Sequence, residues 1–289
     1  MGGRFYRFGL FGHPVKHSLS PVMHEASFRS LGIKAEYVVF DVPPEELAEK
    51  LEFCRREGFN GLNVTIPHKE AIVPLMGTLD ATARLFGAVN TVKIDGRGFT
   101  GYNTDTLGFL TDLKESRGWT PERRRVLIVG CGGAGRALAF TCARDGALEI
   151  GLADKIASKA RVLACEIADR LPDAVAQVNV LSGDPEVWAR YGRDCDLLLH
   201  CTSAGLHAGD ESPIPGEAFH EGQLLYDLVY TARVTPTMRV AQAAGADTLN
   251  GIGMLMHQGA EAFRIWTGLD ADTKAMRTAL EAKVYAAAG

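Results

Sequence analysis

Short apolar runs alternate with segments of helical periodicity along most of the chain. The clearest run, Val126–Val129, is four consecutive apolar residues, which is typical of a parallel strand buried on both faces. A glycine-rich turn, Gly130-Cys131-Gly132-Gly133, follows it, and the Ala-rich segment 137–143 then has helical spacing. Strand, glycine turn and helix in this order are typical of the first unit of a dinucleotide-binding domain.

The turn itself has the residues that a phosphate site needs. Gly130 permits a tight bend, and Gly132 lets the backbone approach a pyrophosphate. The following helix presents free N–H groups and the positive end of its dipole, so we expect Gly133 and Ala134 to bind the cofactor as well. An ordinary turn is the alternative, but the flanking strand and helix favour a nucleotide site.

Six apolar segments separated by helical ones predict a doubly wound parallel sheet. They lie at 125–130, 148–153, 175–180, 195–200, 223–229 and 246–250. The loop after the fourth segment contains Thr202 and Ser203, on the same side as the glycine turn, so we expect both to line the cofactor.

Asp154 follows the second strand and bears on the choice of cofactor. A carboxylate there accepts hydrogen bonds from the adenosine ribose and repels a 2′-phosphate. The sequence therefore favours NAD over NADP. Lys155 follows directly and softens that repulsion, so NADP stays open.

The first hundred residues also alternate strands and helices, which predicts a smaller α/β sheet. Ser20 precedes Pro21 as an N-cap would, and Ser18 with Ser20 either hold an anion or serve only as cap and loop. Asn63, Thr65 and Lys69 sit at the carboxyl end of the predicted strand 59–65, where open α/β sheets bind ligands. Asp105 opens the helix 106–117, and a favourable interaction with the helix dipole would by itself explain an acid there.

Length and composition narrow the class of protein. A chain of 289 residues predicts two domains, and a net charge of −4 with no basic stripe argues against a nucleic-acid partner. The longest apolar run falls short of about 18 residues, so no membrane span is predicted. Six cysteines without a C-x-x-C pair suggest reduced thiols and a cytoplasmic enzyme. His200, Cys201 and His207 lack a fourth ligand, so no metal site is expected.

Six motifs in order resemble the shikimate dehydrogenase family along nearly the whole chain. They are His17-Ser18-Leu19-Ser20-Pro21, Asn63-Val64-Thr65-Ile66-Pro67-His68-Lys69, Gly87-Ala88-Val89-Asn90-Thr91, Gly101-Tyr102-Asn103-Thr104-Asp105, Gly130-Cys131-Gly132-Gly133-Ala134 and Gly253-Met254-Leu255-Met256-His257-Gln258. The resemblance implies an α/β protein in which a Rossmann-like, doubly wound nucleotide domain (105–237) is inserted in a discontinuous substrate domain (1–104 and 238–289).

The resemblance also implies an activity and its residues: reversible oxidation of shikimate to 3-dehydroshikimate by a nicotinamide cofactor. Lys69 and Asp105 would be the catalytic pair. The substrate carboxylate would be bound by Ser18, Ser20 and Tyr230, and the ring hydroxyls by Asn63, Thr65, Asn90, Asp105 and Gln258. Leu228, Gly251 and Met254 complete the expected cofactor contacts.

Three departures from the family pattern keep alternatives open. Asp154-Lys155-Ile156 replaces the frequent Asn-Arg-Thr and resembles the NAD-using quinate/shikimate branch. His200 stands where the family commonly has Asn, and Ser20 leans towards shikimate without excluding quinate. A dehydrogenase of another ring acid, such as aminoshikimate, and a non-catalytic nucleotide-dependent binding protein are the other hypotheses. The expected assembly is a monomer or a homodimer.

Overall fold

The computed structural model describes residues 5–174, 176–207 and 209–285. Within them the strands are β1 (Tyr6–Gly12), β2 (Ala35–Asp41), β3 (Gly61–Val64), β4 (Thr78–Leu79), β5 (Thr91–Asp95), β6 (Gly98–Tyr102), β7 (Arg125–Val129), β8 (Glu149–Ala153), β9 (Gln177–Val180), β10 (Leu197–His200), β11 (Leu224–Asp227) and β12 (Asp247–Asn250). The helices are α1 (Ser20–Ser30), α2 (Leu47–Arg56), α3 (His68–Ala71), α4 (Ala81–Phe86), α5 (Asp105–Arg117), α6 (Gly133–Arg144), α7 (Ala157–Arg170), α8 (Pro185–Gly192), α9 (Pro236–Ala243), α10 (Ile252–Thr267) and α11 (Thr273–Tyr285).

The chain divides into two compact units. The first contains the described residues up to Thr111 together with Met254–Lys283, and the second contains Asp112–Gly253 with Val284 and Tyr285. These divisions fall later than the boundaries 104/105 and 237/238 that we placed from the sequence. At the second one the reason is β12, which pairs in parallel with β11 and so extends the sheet of the second unit.

The first unit is built on a mixed six-stranded sheet with the order β2-β1-β3-β5-β6-β4. Strand β1 pairs in parallel with β2 and β3, whereas β5 runs antiparallel to β3 and β6. Helix α2 buries Leu47, Leu51 and Cys54 against this sheet, the face that its periodicity predicts. Helix α10 packs through Trp266, whose indole nitrogen donates to the Val92 carbonyl at 3.0 Å.

The second unit is a parallel six-stranded sheet with the order β12-β11-β10-β7-β8-β9. All six strands lie within the segments that the sequence predicts. Residues Val126–Val129 of β7 are fully buried, as expected for a strand covered on both faces. The strand order reverses at β7, which pairs with both β8 and β10, and ligands of doubly wound folds bind at the carboxyl ends of the strands at such a point. Among the described residues no helix is long and apolar enough to cross a bilayer.

Candidate active site

Lys69 and Asp105 form a close ion pair in the first unit. The Nζ atom of Lys69 lies 2.6 Å from Oδ2 of Asp105. Lys69 belongs to α3, shortly after β3 ends, and Asp105 is the first residue of α5. The two side chains keep 32% and 18% of their surface exposed. A small molecule can therefore reach both groups.

Asn90 holds the Asp105 carboxylate at its other oxygen. The amide nitrogen of Asn90 donates to Oδ1 of Asp105 at 2.8 Å and to the Thr104 hydroxyl at 3.0 Å. Its amide oxygen accepts the backbone N–H of Thr104 at 2.8 Å. Because both ends of the amide have partners, the rotamer of Asn90 is set and the carboxylate is oriented towards Lys69. Gln258 of α10 reaches the same cluster, with Oε1 lying 3.4 Å from the Asn90 amide nitrogen.

Asn63 is 4% exposed, and its amide oxygen has two donors. The Tyr37 hydroxyl donates to Oδ1 of Asn63 at 2.7 Å, and Nε2 of His24 lies 3.1 Å from the same oxygen. An amide oxygen has two lone pairs, so both are used. The amide nitrogen makes only long contacts of 3.4 Å with Asn90 and Thr91. Asn63 can thus offer a ligand a donor but no acceptor.

His24 and Tyr37 are site residues that the sequence analysis missed. Burial lowers the pKa of His24 to about 3, and it raises the pKa of Tyr37. The imidazole is therefore neutral, with the proton on Nε2, which faces the acceptor oxygen of Asn63. A tyrosine in a β-rich segment and a histidine in an amphipathic helix are ordinary core residues in sequence. Only the tertiary contact with Asn63 gives them a role.

The two serines are placed differently from the prediction. The N-cap of α1 is Leu19, not Ser20, and it has no side-chain cap bond. The Ser18 hydroxyl oxygen instead accepts the backbone N–H of Ser20 at 3.2 Å, and its hydroxyl donates to that of Ser20 at the same distance. Helix α1 thus begins at Ser20, one residue earlier than predicted, and Ser18 accepts the backbone N–H of its first residue.

The remaining predicted substrate residues lie in different units. Thr65 follows β3 directly, and its backbone N–H donates to the Phe11 carbonyl at 2.8 Å. Tyr230 belongs to the second unit, where burial raises the pKa of its hydroxyl. Ser18, Ser20, Asn63, Lys69, Asn90, Asp105 and Gln258 all belong to the first unit.

A cavity of about 680 Å³ opens in the second unit, a size that suits a small-molecule cofactor. It is lined by residues that follow the carboxyl ends of β7, β8 and β10. Six of the predicted cofactor residues line it: Gly130, Gly132, Asp154, Lys155, Thr202 and Ser203.

The glycine turn leaves backbone exposed to this cavity. Gly130 has a φ of +102°, which favours glycine, and a Cβ on it would lie 2.8 Å from the carbonyl carbon of Cys201. A Cβ on Gly132 or Gly133 would meet nothing within 4 Å, so this side of the turn is open. A Cβ on Gly135 would lie 1.8 Å from the Gly130 carbonyl oxygen. Gly135 was not among the predicted site residues, although it is the last glycine of a G-x-G-x-x-G pattern and lets α6 pack closely on β7.

Asp154 lines the cavity and also stabilises the glycine turn through hydrogen bonds. Its Oδ2 accepts the backbone N–H of Cys131 at 2.9 Å, and its Oδ1 accepts that of Ile156 at 2.8 Å. Each oxygen keeps a second lone pair that a ribose hydroxyl can use. Lys155 and Lys159 line the same cavity. Lys159 was missed by the sequence analysis, although it follows Lys155 at the helical i,i+4 spacing.

Five predicted cofactor residues do not line this cavity. Gly133 and Ala134 start α6. Leu228 and Gly251 follow β11 and β12, and a Cβ on Gly251 would lie 2.3 Å from the Leu228 carbonyl oxygen. Met254 belongs to the first unit. Among the described residues no three His, Cys, Asp or Glu side chains form a metal-binding group.

Comparison with known proteins identifies two family models along the chain. The model described as "Shikimate dehydrogenase substrate binding domain" matches residues 10–92. The model described as "Shikimate 5'-dehydrogenase C-terminal domain" matches residues 251–281. The first match runs from β1 to the start of β5 and contains Lys69 and Asn90.

Whole-length relatives agree with these models. The shikimate dehydrogenase (NADP(+)) of Methanopyrus kandleri is 43% identical over 94% of this chain and 93% of its own length. The structure of shikimate 5-dehydrogenase from Listeria monocytogenes in complex with shikimate and NAD is 30% identical, with a TM-score of 0.88 over 96% of both chains. Quinate dehydrogenase from Corynebacterium glutamicum in complex with NAD is 31% identical, with a TM-score of 0.87 over 96% of this chain and 99% of its own. The chain therefore belongs to the shikimate dehydrogenase family.

Proposed function

We propose that this protein catalyses the reversible oxidation of shikimate to 3-dehydroshikimate, with NAD as the preferred hydride acceptor. The observation that carries the proposal is the Lys69–Asp105 pair, at 2.6 Å, oriented by Asn90 within the unit that matches the family's substrate-binding model. The similarity to shikimate dehydrogenases, one of them in complex with shikimate, supports shikimate as the substrate.

The proton chemistry follows from the pair. Oxidation removes the proton of the reacting hydroxyl, and the Lys69 side chain would relay this proton to solvent and stabilise negative charge on the oxygen, while Asp105 orients Lys69. In the reverse direction the same pair would deliver a proton to the carbonyl oxygen. A bound nicotinamide cofactor would supply the acceptor for the hydride, and Gly132, Asp154 and Thr202 are among the residues that would hold it.

The substrate would be held by groups of matching chemistry. Ser18 and Ser20 would supply hydroxyls for its carboxylate. Thr65, Asn90 and Gln258 supply partners for the ring hydroxyls. Asn63 contributes only its amide N–H, because Tyr37 and His24 use its oxygen.

The cavity of the second unit fits a dinucleotide. The open face of Gly132 and the N-terminus of α6 would receive the pyrophosphate, and Asp154 would accept the ribose hydroxyls. The Asp154 carboxylate disfavours a 2′-phosphate, which supports NAD. Lys155 and Lys159 favour that phosphate, in keeping with the NADP(+)-dependent relatives.

Quinate is a second candidate substrate, because one similar structure is a quinate dehydrogenase in complex with NAD. The deciding experiment is kcat/KM for shikimate and for quinate, each with NAD and with NADP, on the purified protein. Highest efficiency with shikimate and NAD is expected. Comparable efficiency with quinate would widen the substrate class, and preference for NADP would overturn the cofactor assignment. Inactivity on both acids would redirect the search to amino-substituted ring acids, or to a binding protein.

Charge variants test the cofactor assignment separately. Asp154→Asn should raise kcat/KM with NADP relative to NAD, whereas Lys159→Ala should lower it. Asp145→Asn is the matched control, because Asp145 pairs with Arg144 outside the cavity. An unchanged NAD/NADP ratio in Asp154→Asn would exclude our account of Asp154.

A further inference from the structure

A buried chain of hydrogen bonds runs from Asp227 through His200 to Thr202 in the second unit. His200 ends β10 and Asp227 ends β11, and both are fully buried. Nδ1 of His200 lies 2.8 Å from Oδ1 of Asp227, and Nε2 lies 2.6 Å from the Thr202 hydroxyl oxygen. This histidine thus connects a buried carboxylate to a side chain that lines the cavity.

Asp227 is a fixed anchor for the imidazole. Its Oδ1 also accepts the backbone N–H of Val229 at 3.0 Å, and its Oδ2 accepts the Thr235 hydroxyl at 2.5 Å. The Thr237 hydroxyl, from α9, also lies 3.3 Å from Nδ1 of His200. With partners on both oxygens, the carboxylate cannot turn without breaking contacts to α9 and to the end of β11.

This anchor sets the direction of every hydrogen bond up to Thr202. A carboxylate only accepts, so Nδ1 of His200 carries the proton. In this tautomer Nε2 is an acceptor, and the Thr202 hydroxyl donates to it. The same hydroxyl oxygen accepts the backbone N–H of Ala204 at 3.1 Å. Donor and acceptor of Thr202 are both used, which determines its rotamer and the turn that it starts.

That turn lies directly against the glycine turn. The Cys201 N–H donates to the Val129 carbonyl at 2.8 Å, and a Cβ on Gly130 would lie 2.9 Å from Cγ2 of Thr202. Residues 201–204 all line the cavity. A small displacement of Thr202 therefore changes the wall next to Gly130, where the pyrophosphate would approach.

We propose that His200 is a positioning residue for the cofactor, which it serves by holding the Thr202 hydroxyl and, through it, the 201–204 wall of the cavity. The inference rests on the proposed function, because it concerns the binding of the nicotinamide cofactor. His200 is fully buried behind the cavity wall and does not line the cavity, so we expect it to affect cofactor affinity through Thr202 and not the affinity for the ring acid.

Two substitutions separate the two contacts of the imidazole. The amide of Asn reaches about as far as Nδ1, so His200→Asn keeps the contact with Asp227 and loses Thr202. The amide of Gln reaches about as far as Nε2, so His200→Gln keeps an acceptor for Thr202 and loses Asp227. Thr202→Val removes the hydroxyl from the other side, and Thr202→Ser restores it. Thr141→Val is the matched control, because it removes a buried hydroxyl of α6 that donates to the Ala137 carbonyl of the same helix.

The test measures the Kd of NAD, the KM of shikimate and the thermal unfolding midpoint of each variant. His200→Asn and Thr202→Val should each raise the Kd of NAD roughly five- to tenfold. Three variants should keep a Kd of NAD within about twofold of the wild-type value: His200→Gln, Thr202→Ser and Thr141→Val. This expectation holds even if their unfolding midpoints change. The double variant His200→Asn/Thr202→Val should bind NAD no more weakly than Thr202→Val does. Both substitutions remove the same hydrogen bond, the one between His200 and the Thr202 hydroxyl.

Three outcomes would overturn the inference. His200→Asn could bind NAD as tightly as the wild type, or His200→Gln could bind NAD as weakly as His200→Asn. The third is that the losses of NAD affinity in His200→Asn and Thr202→Val add in the double variant. A fall in the unfolding midpoint without a change of Kd would also overturn it, because it would make His200 purely structural. Failure of the wild type to bind NAD or NADP would instead refute the proposed function.

Discussion

The Lys69 amine lies 2.6 Å from the Asp105 carboxylate, although the two residues are 36 positions apart in the chain. The helix dipole would by itself explain an acid at the start of α5, but the Asp105 carboxylate contacts Lys69 and Asn90. The pair is partly exposed, so it is available to a substrate. This contact is the basis of the proton transfer that we propose.

Replacing Lys69 should affect turnover far more than substrate binding. We expect Lys69→Ala to lower kcat by roughly 100-fold or more, with a much smaller change in KM, because it removes the group that exchanges the proton. Steady-state kinetics of shikimate oxidation measure both. Lys50→Ala, which removes an amine that lies over the Phe40 and Phe53 rings, is the control. A near-normal kcat would remove Lys69 from the chemistry.

Substitutions at two glycines of the turn should affect stability and cofactor affinity separately. Gly135→Ala places a methyl group against the Gly130 carbonyl, so we expect a large loss of stability, about 3 kcal/mol or more. Gly132→Ala meets no atom in the protein and should unfold like the wild type, yet bind NAD more weakly, because its methyl group occupies the space of the phosphate. Denaturation curves and cofactor titrations test the pair. Equal cofactor affinity in Gly132→Ala would mean that the phosphate does not approach there.

Tyr37→Phe should loosen Asn63 without removing the aromatic packing. The ring stacks on His24 at 4.9 Å, and Phe keeps this contact, but the donor to Asn63 is lost. We expect a several-fold higher KM for shikimate with little change in kcat, and a stability loss of about 1 kcal/mol. Tyr6→Phe serves as control, because Tyr6 stacks on Phe8 away from Asn63. A change in kcat alone would contradict this role.

Acid should destabilise the protein through His24. Its pKa is about 3 in the folded protein and about 6.5 when unfolded, so the unfolded state binds more protons between these values. Stability is therefore lost as the pH falls from 6.5 towards 3. Between pH 6.5 and 5 the loss should be about 1.5–2 kcal/mol.

Denaturation at each pH compares the wild type with His24→Gln, which keeps a donor for Asn63 but does not titrate. The variant should show a flatter pH dependence in this window. His220→Gln, at an exposed position, should behave as the wild type. Parallel curves for the wild type and His24→Gln would mean that the pKa of His24 is the same in the folded and unfolded states, which would contradict this prediction.

Local sequence patterns predicted the second unit well. A short apolar run such as Val126–Val129 that ends at a glycine turn is typical of a buried strand, and the turn restricts the backbone at that point. Those constraints act over a few residues, so they can be read without the rest of the chain. The start of α1 was misassigned by one residue, because the pattern Ser20-Pro21 does not reveal that the Ser18 hydroxyl, and not that of Ser20, accepts a backbone N–H at the helix start.

The motifs also indicated which residues form the site, since the resemblance extends along the chain. Which atoms meet was decided by the tertiary structure. The buried donors of Asn63 come from β2 and α1, and the partners of His200 come from β11, α9 and the loop after β10. Periodicity records whether a side chain is buried, but not which buried polar group it faces. The fold of each unit therefore follows from local pattern. Other features exist only once distant segments have packed together: the orientation of Asn63, the proton positions on His24 and His200, and the contact of Lys69 with Asp105.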